Sequence, residues 1–138
     1  MRVRCISTYP SEEQIQRLGK SFFRDQAFHI EVGKDYIVLG LAFSAGSNIP
    51  FISVVGQYGK LGHAPLSLFE VIDARVSKYW EVRVMRNGVL VFWPHSFFRE
   101  FYHDDLSELV PEVVADFDHV RAMMEAEASE QPAGCPGN

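Results

Sequence analysis

The spacing of apolar residues divides this chain into three parts. Over residues 11–19, SEEQIQRLG, Ile15 and Leu18 stand at helical spacing on an otherwise polar stretch. Ser11 followed three residues later by Gln14 makes a capping box, and Gly19 supplies a stop, so a short helix is predicted there. From Phe28 to Trp93 the pattern becomes that of strands. After Pro94 helical spacing returns. Phe97, Phe98, Phe101 and Tyr102 form one run; Val113, Phe117, Val120 and Met124 form another, in a helix entered through Pro111.

Within the middle part, FHIEV and DYIVLGLAFS flank Gly33-Lys34 and read as two strands. The second is apolar at both parities: Tyr36, Val38 and Ala42 on one face, Ile37, Leu39, Leu41 and Phe43 on the other. Both faces therefore need cover. Gly40 in its middle suits sharp coiling. IPFISVVGQY reads as a third strand, GKLGHAP as a turn and LFEVID as a further short strand. In YWEVRVMRNGVLVFW, Asn87-Gly88 predicts a two-residue type I′ hairpin with positive φ at both positions. That register pairs Val84 with Val91 and Val82 with Trp93 on the core face. Val84→Asp should then unfold the chain, at several kcal/mol for a buried unpaired charge.

These elements predict an α+β fold: a strongly bent antiparallel sheet or small barrel over residues 28–93, flanked by a short N-terminal helix and C-terminal helices. Its expected core includes Tyr36, Val38, Phe51, Phe69, Val82, Val84, Val91 and Trp93. Residues 1–128 read as one domain and 129–138, SEQPAGCPGN, as a disordered tail.

Composition narrows the class of protein. At 138 residues, with 47% hydrophobic and 22% charged, the chain has the make-up of a soluble globular domain. No apolar run nears the roughly 18 residues that span a bilayer, and no apolar segment follows the N-terminal arginines as in a secretory signal. Two distant cysteines suit a reducing, cytoplasmic setting. The net charge of −5 is unevenly spread. Residues 1–99 hold twelve lysines and arginines against eight carboxylates; residues 100–138 hold one arginine against ten carboxylates, a net of −9. Nonspecific nucleic-acid binding, which needs cations to neutralise phosphates, is not expected of such a chain, and neither is a membrane partner.

Candidate chemistry is sparse. Five histidines are present, but none has a serine or cysteine in a nucleophile motif. The HDD of residues 103–105 lacks the further ligands of a metal-phosphohydrolase signature. GQYGKLG lacks the spacing of a phosphate loop. No catalytic residue, metal or cofactor is expected, and the chain is read as a non-enzyme. Trp80, Trp93, Tyr58 and Tyr79 either pack a core or line an aromatic groove for a peptide, as in an adaptor. Residues 103–118 carry six carboxylates and no lysine or arginine. Two readings stand for them. They are the solvated face of an amphipathic helix, with first-turn acids on its dipole. Or they grip a basic protein partner, a toxin or enzyme, through Asp104, Asp105, Glu108, Glu112 and Asp116, with Tyr102 and Leu109 as apolar anchors.

Two segments carry a resemblance. Gly33, Lys34, Tyr36 and Val38, then Leu68, Phe69, Glu70, Val71 and Asp73, resemble the GK-x-Y-x-V and LFEVVD-like strands of small bacterial SH3-like barrels. The match covers about a third of the chain, and its motifs are structural. It implies such a barrel, here extended by the Asn87-Gly88 hairpin and the acidic helices. Cytoplasmic immunity proteins that neutralise a toxin are among proteins of this kind, so the resemblance implies that role as well.

Overall fold

A computed structural model describes residues 1–18, 28–44 and 49–130. The chain starts with a strand the hydrophobic pattern did not announce, β1 (Arg2–Cys5), whose Val3 and Cys5 are buried while Arg2 and Arg4 face water. Helix α1 (Glu12–Leu18) follows, and its capping box forms as expected. The Ser11 N–H donates to Gln14 Oε1 at 2.8 Å and the Gln14 N–H donates to Ser11 Oγ at 3.2 Å. The apolar edge of Ile15 and Leu18 and the stop at Gly19 lie outside the described residues and side chains.

FHIEV is irregular backbone rather than a strand, and it leads into a turn through Gly33 at φ +86°. The expected single strand over residues 35–44 is two: β2 (Asp35–Ile37) and β3 (Gly40–Phe43). Then come β4 (Phe51–Val55), β5 (Leu61–Pro65), β6 (Phe69–Asp73) and the hairpin β7 (Trp80–Val84) and β8 (Leu90–Pro94). GKLGHAP is therefore largely a strand, not a turn. Pro65 is tolerated because β5 lies at a sheet edge.

The strands pair antiparallel in two sheets, β2-β1-β6 and β5-β4-β3-β8-β7. Between the sheets lie Val3, Cys5, Tyr36, Val38, Leu41, Ile52, Val54, Leu68 and Phe69. The other face of the larger sheet is covered by a 3-10 turn at His95–Phe98, helix α2 (Tyr102–Ser107) and helix α3 (Pro111–Ser129). There Leu39, Phe97, Tyr102, Val113, Phe117, Val120 and Met124 make a second core. The four α3 positions predicted from their spacing are the four buried ones. The α+β class holds, with the bent sheet realised as two sheets and a helical layer.

The hairpin departs from expectation by one residue. Gly88 has φ +82° but Asn87 does not take positive φ. The Met85 N–H donates to Val89 O at 2.8 Å and the Gly88 N–H to Met85 O at 2.9 Å, closing a three-residue loop. Val84 therefore faces Leu90 and Val82 faces Phe92. A one-residue slip moves side chains to the other face. β7 is also the last strand of its sheet, and while Trp80 at its start packs against the core between the sheets, the strand's later residues do not join that core. Val82 and Val84 are 56% and 72% exposed, so neither belongs to the core. Of the remaining expected core residues, Tyr36, Val38, Phe69 and Val91 are buried, and Phe51 and Trp93 are half-buried.

Candidate functional site

The acidic segment folds as α2, a tight reversal and the start of α3. The reversal is a Schellman motif: the Val110 N–H donates to Asp105 O at 3.0 Å and the Leu109 N–H to Leu106 O at 3.1 Å. This motif requires a left-handed residue where glycine is usual. Here that residue is Leu109, at φ +60° and 70% exposed. Pro111 then opens α3 with its missing N–H in the first turn.

This geometry sorts the seven expected partner-binding residues into two groups. Asp104 and Leu109 line a groove of about 520 Å³ between β5 and the helices. Its sheet-side wall is Lys60, just before β5, with Leu61 and His63; its helical wall adds His103, Leu106, Phe117 and Asp118. Glu108 is exposed in the residue before Leu109. Glu112, Asp116 and Tyr102 line a different cleft, together with Arg83, His95 and Arg99. Asp105 sits 3.7 Å from Arg99. Asp105 meets a cation of its own chain and Asp116 accepts from the Tyr102 hydroxyl, while Glu112 and Asp116 line a cleft other than that of Asp104, so the seven do not share one groove.

Tyr102 is not the exposed anchor expected of it. It is 2% exposed and stacks on Phe97, with ring centroids 5.0 Å apart. Its hydroxyl donates to Asp116 Oδ2 at 2.7 Å. Burial and the adjacent carboxylate hold the phenol well above its usual range, so it stays a neutral donor. It is a core residue and not an anchor for a partner. Trp80, Trp93 and Tyr79 likewise pack against the helix-side core, and of the four expected groove aromatics only Tyr58 is largely exposed.

Sequence reading missed a histidine pair. His63 on β5 and His103 on α2 have ring centroids 5.8 Å apart, and His103 also packs 4.7 Å from the Trp93 ring. His63 Nδ1 shares a hydrogen bond of 3.0 Å with Ser53 Oγ. Desolvation lowers the pKa of both imidazoles, although His63 keeps an exposed edge, and at His103 the His63 charge lowers the value further while Asp104 raises it. Ser53 is 2% exposed within β4, so its hydroxyl is out of reach of a substrate. The pair packs where β5 meets α2. The only sequence signal was a histidine at an outward parity in LGHAP, unreadable while that stretch passed for a turn. Among the described residues, no three His, Cys, Asp or Glu side chains gather as a metal site. No helix among them is long and apolar enough to cross a membrane.

Comparison with protein-family models, with curated proteins and with solved structures finds no match to this chain.

Proposed function

We propose that this protein is a non-enzymatic binding protein, an inhibitor of immunity or antitoxin type that neutralises a basic partner through the groove beside α2. The observation that carries this reading is Leu109. A large apolar side chain stands mostly in water, on a backbone conformation that disfavours it, with Asp104 and Glu108 beside it. Interfaces draw their affinity from a few apolar anchors and their speed and sign from surrounding charge. The resemblance of the Gly33–Val38 and Leu68–Asp73 segments to strands of small bacterial SH3-like barrels, a group that includes immunity proteins, supports the same reading. Lys60 on the facing wall confines the acidic side to α2 and α3.

The test compares capture from a lysate of the source cells by the parent, by the double charge reversal Asp104→Lys/Glu108→Lys, and by Leu109→Gly. A basic protein retained by the parent, released by salt and lost from both variants supports the proposal. An identical set of proteins on all three baits overturns it.

A second reading, an adaptor for an extended peptide, is supported by the neighbouring cleft of about 500 Å³ lined by Phe28, His29, Ile30 and Tyr58. Tyr58 is 82% exposed and meets His29 edge to face at 5.8 Å. Under that reading Tyr58→Ala abolishes binding and the charge reversals leave it unchanged.

A further inference from the structure

We propose that the free edge of β7 pairs with the same edge of a second copy of this chain, forming a weak two-fold dimer. Among the described residues β7 is hydrogen-bonded on one side only, to β8, and ends the five-stranded sheet. Met85 directs its N–H to Val89 across the hairpin. In an antiparallel ladder this direction alternates along the strand. Glu81 and Arg83 therefore turn their backbone groups to β8, and Val82 and Val84 turn theirs to the open edge.

An antiparallel pair of identical strands has a two-fold axis perpendicular to the sheet, which restricts the possible registers. Centring the axis on Val82 places Val82 opposite its own copy, and the outward N–H and C=O of each then bond the other. In this register all five residues of the strand stand opposite a partner; the Trp80 N–H keeps its bond to Ser77 O at 3.3 Å, so the new N–H donors are those of Val82 and Val84. Glu81 faces Arg83 of the second copy, Arg83 faces Glu81, and Trp80 faces Val84 at either end. Opposite charges and apolar residues meet directly, the pairs that stabilise cross-strand contacts. Centring on Glu81 or Arg83 instead sets like charges against each other. The alternation Trp-Glu-Val-Arg-Val is thus complementary to itself in one register.

The side chains are placed for this. Val82 and Val84 are exposed on one face of β7. On the other, Glu81 pairs with Arg83 at 3.3 Å and with His95, while the Arg83 guanidinium rests 4.1 Å above the Phe98 ring. Edge strands commonly use charge to prevent association. Here Glu81 and Arg83 already meet within one chain, and the register sets each of them against the opposite charge of the second copy as well. A five-residue edge falls short of the roughly 1,200–2,000 Å² buried by a stable interface, so the dimer is concentration-dependent.

Sedimentation equilibrium on the full chain, from low micromolar to near millimolar protein, tests the proposal. The parent should pass from monomer to dimer over this range, with no larger species. Arg83→Glu and Glu81→Arg should each raise the concentration of half-dimerisation roughly tenfold or more, and the double exchange Glu81→Arg/Arg83→Glu should restore it. Val82→Pro, which removes the outward N–H, should abolish dimerisation; circular dichroism and melting of each variant show that the monomer remains folded. A parent that stays monomeric throughout overturns the proposal. So does a dimer that the single reversals leave intact, or one that the double exchange fails to restore while its fold is unchanged.

Discussion

Tyr58, Phe101 and Leu109 hold left-handed backbone, at φ between 60° and 68°, and all three are mostly exposed. Each lacks the deep burial that would offset a conformation costing L-residues about 1–2 kcal/mol. Leu109→Gly should therefore stabilise the chain by about 1 kcal/mol in a denaturant titration while removing the anchor of the proposed interface. Gly40 shows the opposite constraint. A Cβ there would lie 2.5 Å from Trp93 Cδ1 and 3.2 Å from the Phe92 carbonyl oxygen. Gly40→Ala should cost about 1–3 kcal/mol, read as a lower melting temperature. Coiling predicted a glycine at this position; the indole that fills its space came from a strand some fifty residues away. Tyr102→Phe should cost about 1.5–3 kcal/mol, because the hydroxyl it removes serves a carboxylate. The expected helical run through Phe97, Phe98, Phe101 and Tyr102 is broken: Phe97 and Phe98 lie in a 3-10 turn, Phe101 is left-handed and 64% exposed, and Tyr102 stacks on Phe97 alone of the three phenylalanines. Helical spacing did not show that the hydroxyl had an internal partner.

Elements that carry several apolar residues in one period were legible. Helix α3 was read correctly at all four of its buried positions, and the capping box of α1 bonds as its two residues implied. Shorter or mixed elements were not. β1 offers only Val3 and Cys5 between arginines, too few alternations to separate from coil. β5 was hidden by Gly62 and Pro65, which mark turns in most settings but suit an edge strand. The hairpin was recognised but misregistered, since Asn-Gly is also compatible with a three-residue loop ending in a left-handed glycine. One consequence reverses a sequence expectation. Val84→Asp should leave the monomer folded and cost under about 1 kcal/mol, the range of strand propensity at an exposed site. Unfolding of that variant at dilute concentration would return Val84 to the core.

Across the whole molecule, the −9 of residues 100–138 is not spread as one field. Part of it is answered internally: Asp105 by Arg99, Glu125 by Arg121, and Glu127 by the backbone N–H of Lys78. Sequence charge counting exposed the imbalance but could not assign carboxylates to the two sides of α2. The histidine pair packs where the sheet meets the helical layer and gives the fold a pH dependence. Both imidazoles have pKa values lowered from 6.5, so below that pH the unfolded chain binds protons that the folded chain resists. Stability contributed by the neutral pair is present above 6.5 and is lost as pH falls through the lowered folded values. Melting temperature should drop on acidification from neutrality through this window, and His63→Gln should flatten the profile by removing one site and its repulsion on His103. An unchanged profile in that variant would assign the acid sensitivity elsewhere.

At the crossing between β2 and β3, two successive amides serve different sheets. The Val38 N–H donates to Met1 O at 3.0 Å, beside β1, and the Leu39 N–H donates to Ser53 O at 2.8 Å, on β4. Their side chains divide in the same way, Val38 into the core between the sheets and Leu39 into the core under the helices. Neither sheet can detach without pulling this dipeptide out of both cores, so the three layers should melt as one cooperative unit. In native-state hydrogen exchange, the Val38 and Leu39 amides should share a single opening free energy equal to that of global unfolding, while amides of the β7–β8 hairpin tip exchange through smaller local openings.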